Sequence, residues 1–87
     1  MGKHYSIRYK ESAFQSLKKL ERAIQTRIAT RILALGDDPY PPGSRKIAGE
    51  DHAYRIRIGD YRVIYDVLED SIVVLVLRIG HRKDVYR

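Results

Sequence analysis

The sequence has no cysteine and no tryptophan, and only one methionine and three prolines in 87 residues. Without cysteine, disulfides and thiolate metal sites are excluded, and nothing points to an oxidising compartment. The longest apolar run, Ile72 to Leu77, is far too short to span a bilayer. The opening stretch MGKHYSIRYK lacks the apolar segment of a signal peptide. The expected location is therefore the cytoplasm, with no membrane partner. There is no Gly-rich phosphate loop, no nucleophile elbow and no Cys/His metal spacing. Histidines are limited to His4, His52 and His81. A two-histidine ribonuclease and a metal-dependent nuclease are both poorly supported, and no metal or cofactor is expected.

Positive charge is what the chain has in excess. Seventeen Lys and Arg face 11 Asp and Glu, a formal net charge of +6. Eleven of those cations are arginine, whose planar fork matches phosphate oxygens better than a lysine ammonium does. Such a balance on a small body favours polyanionic partners, nucleic acid first. The plainer reading is a soluble protein that happens to be basic, and an acidic protein partner fits the same field. The length suits one domain, residues 1–87, with a thin core.

Hydrophobic spacing predicts the elements. Tyr5 to Tyr9 alternates as a half-buried strand does. Ser12 is a candidate helix cap, followed by Ala13, Phe14, Leu17 and Leu20 at helical spacing. Ile24, Ile28, Ile32 and Leu35 form a second stripe. Neither Gly nor Pro marks the break near Leu20–Arg22; a helical hairpin is the reading, one long helix its alternative. Gly36 to Ser44, rich in Pro and Gly, ends the helix in a loop. A meander follows: Tyr54, Ile56 and Ile58, a turn at Gly59-Asp60, then Val63, Tyr65 and Val67, and a turn at Glu69-Asp70. Ile72 to Leu77 then forms a central strand expected to be covered on both faces. The expectation is an α+β domain of order β-α-α-β-β-β, its helical hairpin packed on one face of a small antiparallel sheet.

Two helices cover one face of such a sheet and leave the other open. Alternation puts Arg55 and Arg57 on the same face, and a tight turn at Gly59-Asp60 brings Arg62 opposite Arg57. Like charges so opposed repel, so they are either well solvated or meet an anion. The bland alternative is a solvated face with scattered cations. Arg78, His81, Arg82, Lys83 and Tyr86 follow on the last strand and tail, where Tyr86 has the plainer role of packing the terminus. Asp66, the main carboxylate near this face, reads as an ion-pair partner. Arg27 and Arg31 fall on the exposed side of the second helix, where a solvated face is the simpler reading and contact with an acidic protein or nucleic acid the functional one.

At this point a family resemblance is visible. The stretch from Tyr54 to Tyr65, YRIRIGDYRVIY, resembles the central hairpin of RelE-type toxins of the RelE/ParE superfamily. The stretch from Val76 to Tyr86, VLRIGHRKDVY, resembles their last strand and C-terminal motif. Arg45-Lys46-Ile47-Ala48-Gly49 resembles the step before the hairpin. The resemblance spans nearly the whole chain. It implies a type II toxin, held by a RelB-like antitoxin in a hetero-oligomer, that cleaves messenger RNA in the ribosomal A site. It implies attack by a ribose 2′-hydroxyl on the adjacent phosphate, with Arg55, Arg57, Arg62, Arg82 and Tyr86 as catalytic residues. Arg45, Lys46, Arg78 and Lys83 are expected to bind RNA. Some members carry lysine where this chain has Arg55 and Arg57, and an arginine with a pKa above about 12 is a poor proton carrier. His81, the one motif residue titrating near neutrality, is the candidate for proton transfer. Two other readings compete: a ParE-like inhibitor of DNA gyrase, and a non-catalytic RNA- or protein-binding module of the same fold.

Overall fold

The computed structural model describes residues 2–81. Its elements are β1 (Ser6–Tyr9), α1 (Glu11–Lys18), α2 (Arg22–Ala34), β2 (Arg45–Lys46), β3 (Ala53–Ile58), β4 (Tyr61–Leu68) and β5 (Val73–His81). The sheet runs β1-β5-β4-β3-β2. The predicted meander is there as β3, β4 and β5, each antiparallel to the next. Two features were not predicted. β1 joins the far side of β5 in parallel, and the two-residue β2 extends the other edge. The sheet is therefore mixed, because the helical pair carries the chain across it before β3 begins.

The helical hairpin forms with its break at residues 19–21. Ser12 is not the cap. Pairing continues to Lys10, whose N–H donates to the Val76 carbonyl at 2.9 Å, and Lys10 itself occupies the cap position with extended backbone. Glu11 then sits in the first turn, where its charge complements the helix dipole. α1 lies over β5 and α2 over β3. Ala13, Leu17, Ile28, Ile32 and Leu35 point down onto Ile56, Ile58, Val63, Tyr65, Val67, Val74 and Val76, all buried. Leu35 leads into Gly36, whose carbonyl accepts the Tyr5 N–H at 2.7 Å. A Cβ at Gly36 would stand 2.9 Å from the Tyr5 carbonyl oxygen, so the approach of loop to strand requires glycine.

β5 corrects the expectation of a strand covered on both faces. It has strand neighbours at both edges, yet Val73, Leu75 and Leu77 on the helix-free side are only half-buried. β5 is also irregular. Ile64 pairs with Arg78 and Tyr65 with Val76, leaving Leu77 as an extra residue. This bulge resets the alternation. Val74 and Val76 face the helices; without the bulge residue 78 would follow them inward. Instead Arg78 is exposed and Ile79 is buried.

The end of the sheet far from the β3–β4 turn is tied by tyrosines. Tyr5 and Tyr40 both donate to the Glu69 carboxylate, with Lys3 Nζ 3.8 Å away. The two phenol donors, Tyr40 first, hold the Glu69 carboxyl below its ordinary value. Tyr65, fully buried, stacks on Tyr54 and donates to the Pro39 carbonyl at 2.8 Å. In the β4–β5 turn Ile72 has φ 55°, a region that a β-branched residue adopts only under strain. Ile72→Asn keeps both backbone hydrogen bonds of this residue and tolerates that conformation. It is expected to stabilise by about 1 kcal/mol, raising Tm by roughly 4–8 °C in a calorimetric scan. A lower Tm would show that the packing of Ile72 outweighs its strain.

Candidate functional site

The β3–β4 hairpin closes through a two-residue loop, Gly59-Asp60, between the paired Ile58 and Tyr61. Gly59 has φ 61°, which suits the first position of a II′ turn. This loop fixes the register, and the register sets the site. Arg57 lies directly opposite Arg62 on the face that carries no helix. Cβ atoms so paired stand about 4.5–5.5 Å apart. Gly80 follows on β5 beside Arg62, with no side chain of its own. One row along, Arg45, Arg55, Ile64 and Arg78 line up across β2, β3, β4 and β5. Five arginines thus share one face, two of them in the turn-proximal row.

Their environments differ. Arg57, Arg45 and Arg78 are exposed, whereas Arg55 and Arg62 are half-buried. The Nε and Nη1 atoms of Arg62 are out of solvent contact although its strand faces outward. Partial burial weakens the solvent screening of its charge, which favours attraction of an anion to this face. Asp66 sits four residues further along β4, roughly 13 Å from Arg62, too far to share a ligand atom. No cluster of three potential metal-ligating side chains exists among the described residues.

The structure separates two of the expected residues from this group. Lys46 pairs with Tyr54 and therefore points to the opposite side from its neighbour Arg45. His81 pairs with Tyr61, and its ring meets the Tyr61 ring edge-on at 5.5 Å. Tyr61 lines the helix-side cleft with Ile24, Ile28 and Ile58. His81 thus lies across the sheet from Arg57 and Arg62, because it is one residue out of phase with Gly80 and Arg62. This arrangement argues against a proton-transfer role beside those arginines. Arg82, Lys83 and Tyr86 lie outside the described residues.

A helix residue for which a solvated face is the simpler expectation also enters the site. A cleft of about 260 Å³ at the β3 edge is lined by Arg45, Arg55 and Arg57 from the sheet, and by Arg31 from the last turn of α2. The only signal in the sequence was an arginine at helical spacing from Arg27. Nothing local distinguishes it from any solvated cation.

Comparison with known proteins bears on this arrangement. A family model described as ParE toxin of type II toxin–antitoxin system, parDE, matches residues 7–86. Toxin RelG of Mycobacterium tuberculosis is 32% identical over 95% of this chain and 97% of its own length. The mRNA interferase toxin RelE of Escherichia coli (strain K12) is 24% identical over 91% of this chain and 84% of its own. Among solved structures, the archaeal RelE–RelB complex from Pyrococcus horikoshii OT3 contains a chain that superposes with a TM-score of 0.82 at 28% identity. That match covers 94% of this chain and 99% of that one. The chain therefore belongs to the ParE toxin family of type II toxin–antitoxin systems, as a RelE-like member.

Proposed function

We propose that this protein is an endoribonuclease that cleaves messenger RNA in the ribosomal A site and so stops translation. The observation that carries the reading is the opposed Arg57–Arg62 pair on the helix-free face, with Arg62 half-buried. In the reaction the 2′-oxygen attacks the adjacent phosphorus and the P–O5′ bond breaks. A 2′,3′-cyclic phosphate and a 5′-hydroxyl result, with the proton passing from the 2′-hydroxyl to O5′. Negative charge builds on the non-bridging oxygens as phosphorus becomes five-coordinate. Arg62, with Arg82 from the tail, stabilises that charge; Arg55 and Arg57 hold the backbone in line. Tyr86 stacks on a base or donates to the attacking oxygen. Arg45 and Arg78 extend the cationic row along the strand's path, and Lys83 adds a further RNA-binding cation.

The protein works in the cytoplasm, where its partners are the programmed ribosome and a RelB-like antitoxin in a hetero-oligomer. The antitoxin reading is supported by the RelE–RelB assembly of the Pyrococcus relative and by the net charge of +6. Primer extension on ribosomes carrying a defined messenger tests the proposal, with an Arg82→Ala, Tyr86→Phe double variant alongside. Cuts in the A-site codon from the wild type alone are expected. Cuts from both proteins would remove Arg82 and Tyr86 from the mechanism. No cuts from the folded wild type would overturn the ribonuclease, and a gyrase supercoiling assay would then test the ParE-type reading for which the family model is named.

A further inference from the structure

The cleft at the β3 edge differs from the open face in one respect: a helix contributes to it. Arg31 comes from α2, on the opposite side of the sheet from Arg45, Arg55 and Arg57, and the Pro42–Gly43 loop closes the far wall. β2 pairs with β3 only at Tyr54 and Arg55. Beyond that point the β3 edge has no further strand on it, and the cleft wraps around it. Four guanidiniums border about 260 Å³, and no carboxylate is among the described residues lining it. Arginine supplies up to five N–H donors and no acceptor. The chemistry this opening asks for is therefore an oxyanion, and more than a single carboxylate's charge is needed to balance it.

The cleft is also continuous with the candidate site, since Arg57 belongs both to its rim and to the Arg57–Arg62 pair. A strand whose reacting phosphate lies over that pair carries its neighbouring phosphate toward the β3 edge. We infer that this cleft is a second phosphate subsite for the RNA strand, in which Arg31 is a positioning residue that holds a phosphodiester adjacent to the one cleaved. The inference rests on the ribonuclease reading for the identity of the strand, but its test does not depend on cleavage.

Arg31 also has a plain structural role to be separated from this one. It sits in the last turn of α2, where a cation complements the helix dipole. Its substitution by alanine, a better helix former at an exposed position, preserves the fold. The separating variable is the number of phosphates on the ligand. The probes are fully 2′-O-methylated RNAs, which cannot be cleaved: a dinucleotide with one phosphodiester and a hexanucleotide with five. Binding of each to the wild type, Arg31→Ala, Arg31→Lys and Arg62→Ala is followed by fluorescence anisotropy across a salt series.

For the hexanucleotide, Arg31→Ala is expected to weaken binding about fivefold or more and to flatten the slope of log K against log salt by about 0.7, the loss of one phosphate contact on a single strand. Arg31→Lys is expected to recover most of the slope. The dinucleotide, whose one phosphate occupies the Arg57–Arg62 pair, is expected to lose affinity with Arg62→Ala but not with Arg31→Ala. Equal losses on both lengths would make Arg31 a structural residue or a general attractor and overturn the subsite. An unchanged hexanucleotide slope would overturn it too. If the slope is unchanged and Arg31→Ala instead weakens capture of an acidic peptide, the cleft is a protein contact and not an RNA one. The binding result stands or falls whether or not the wild type cuts messenger RNA, so the two readings fail separately.

Discussion

Arg62→Ala is expected to lower the single-turnover rate of the proposed messenger cleavage on programmed ribosomes by about 10²–10³, the usual cost of losing one donor to a transition-state anion. The expectation follows from where this guanidinium sits. It is half-buried and paired with Arg57 on the helix-free face, where reduced solvent screening strengthens its attraction for a phosphate. Arg62→Lys preserves the charge but not the planar fork, and is expected to recover only part of the loss. Arg57→Ala supplies the control. Arg57 is exposed and faces Arg62 directly, so its removal relieves a like-charge pair. Stability is then expected to rise by up to about 1 kcal/mol while activity falls. A site under selection for anion binding shows this opposition of stability and rate; a merely solvated face does not. Retention of activity within tenfold in Arg62→Ala would remove this residue from the chemistry.

Tyr65 is the position where a single change costs the fold most. It is fully buried, its ring stacks on Tyr54 at 6.2 Å between centroids, and its hydroxyl donates to the Pro39 carbonyl at 2.8 Å. Burial pushes its phenol above the ordinary tyrosine value, so it stays a protonated donor throughout the neutral range. Tyr65→Phe keeps the ring and leaves the Pro39 carbonyl without this donor, at a cost of about 1–3 kcal/mol. Tyr65→Ala also empties the centre of the core, and large aromatic deletions of this kind cost about 3–5 kcal/mol. A domain of this size has only about 5–10 kcal/mol to lose. Urea titration is expected to rank wild type, Phe and Ala in that order, with Ala partly unfolded before denaturant is added. Equal midpoints for wild type and Phe would show that water satisfies Pro39 unaided.

Much of this architecture is legible in the sequence because the relevant forces are local. The Gly59-Asp60 turn fixes its own geometry, so the Arg57–Arg62 pairing follows from spacing alone. The apolar stripes of α1 and α2 likewise predict which faces are buried. What the sequence conceals depends on contacts between distant segments. The parallel pairing of Ser6 with Val73 joins residues far apart in the chain, and no turn announces it. Lys46 and His81 look like members of the basic group until the registers assign them to the other side of the sheet. Arg31 looks like any helix-surface cation until the β3 edge is seen beside it.

A strand is read in twos, and Leu77 is a frameshift within it. Everything downstream takes its in-or-out phase from that one additional residue. Drawing Leu77 into the ladder as an ordinary paired residue would change no amino acid, yet it would direct Arg78 toward the helices and Ile79 toward water. The functional phase of the last strand is therefore stored in a residue with no chemistry of its own. A comparison that scores only the arginines would pass over the position that aims one of them.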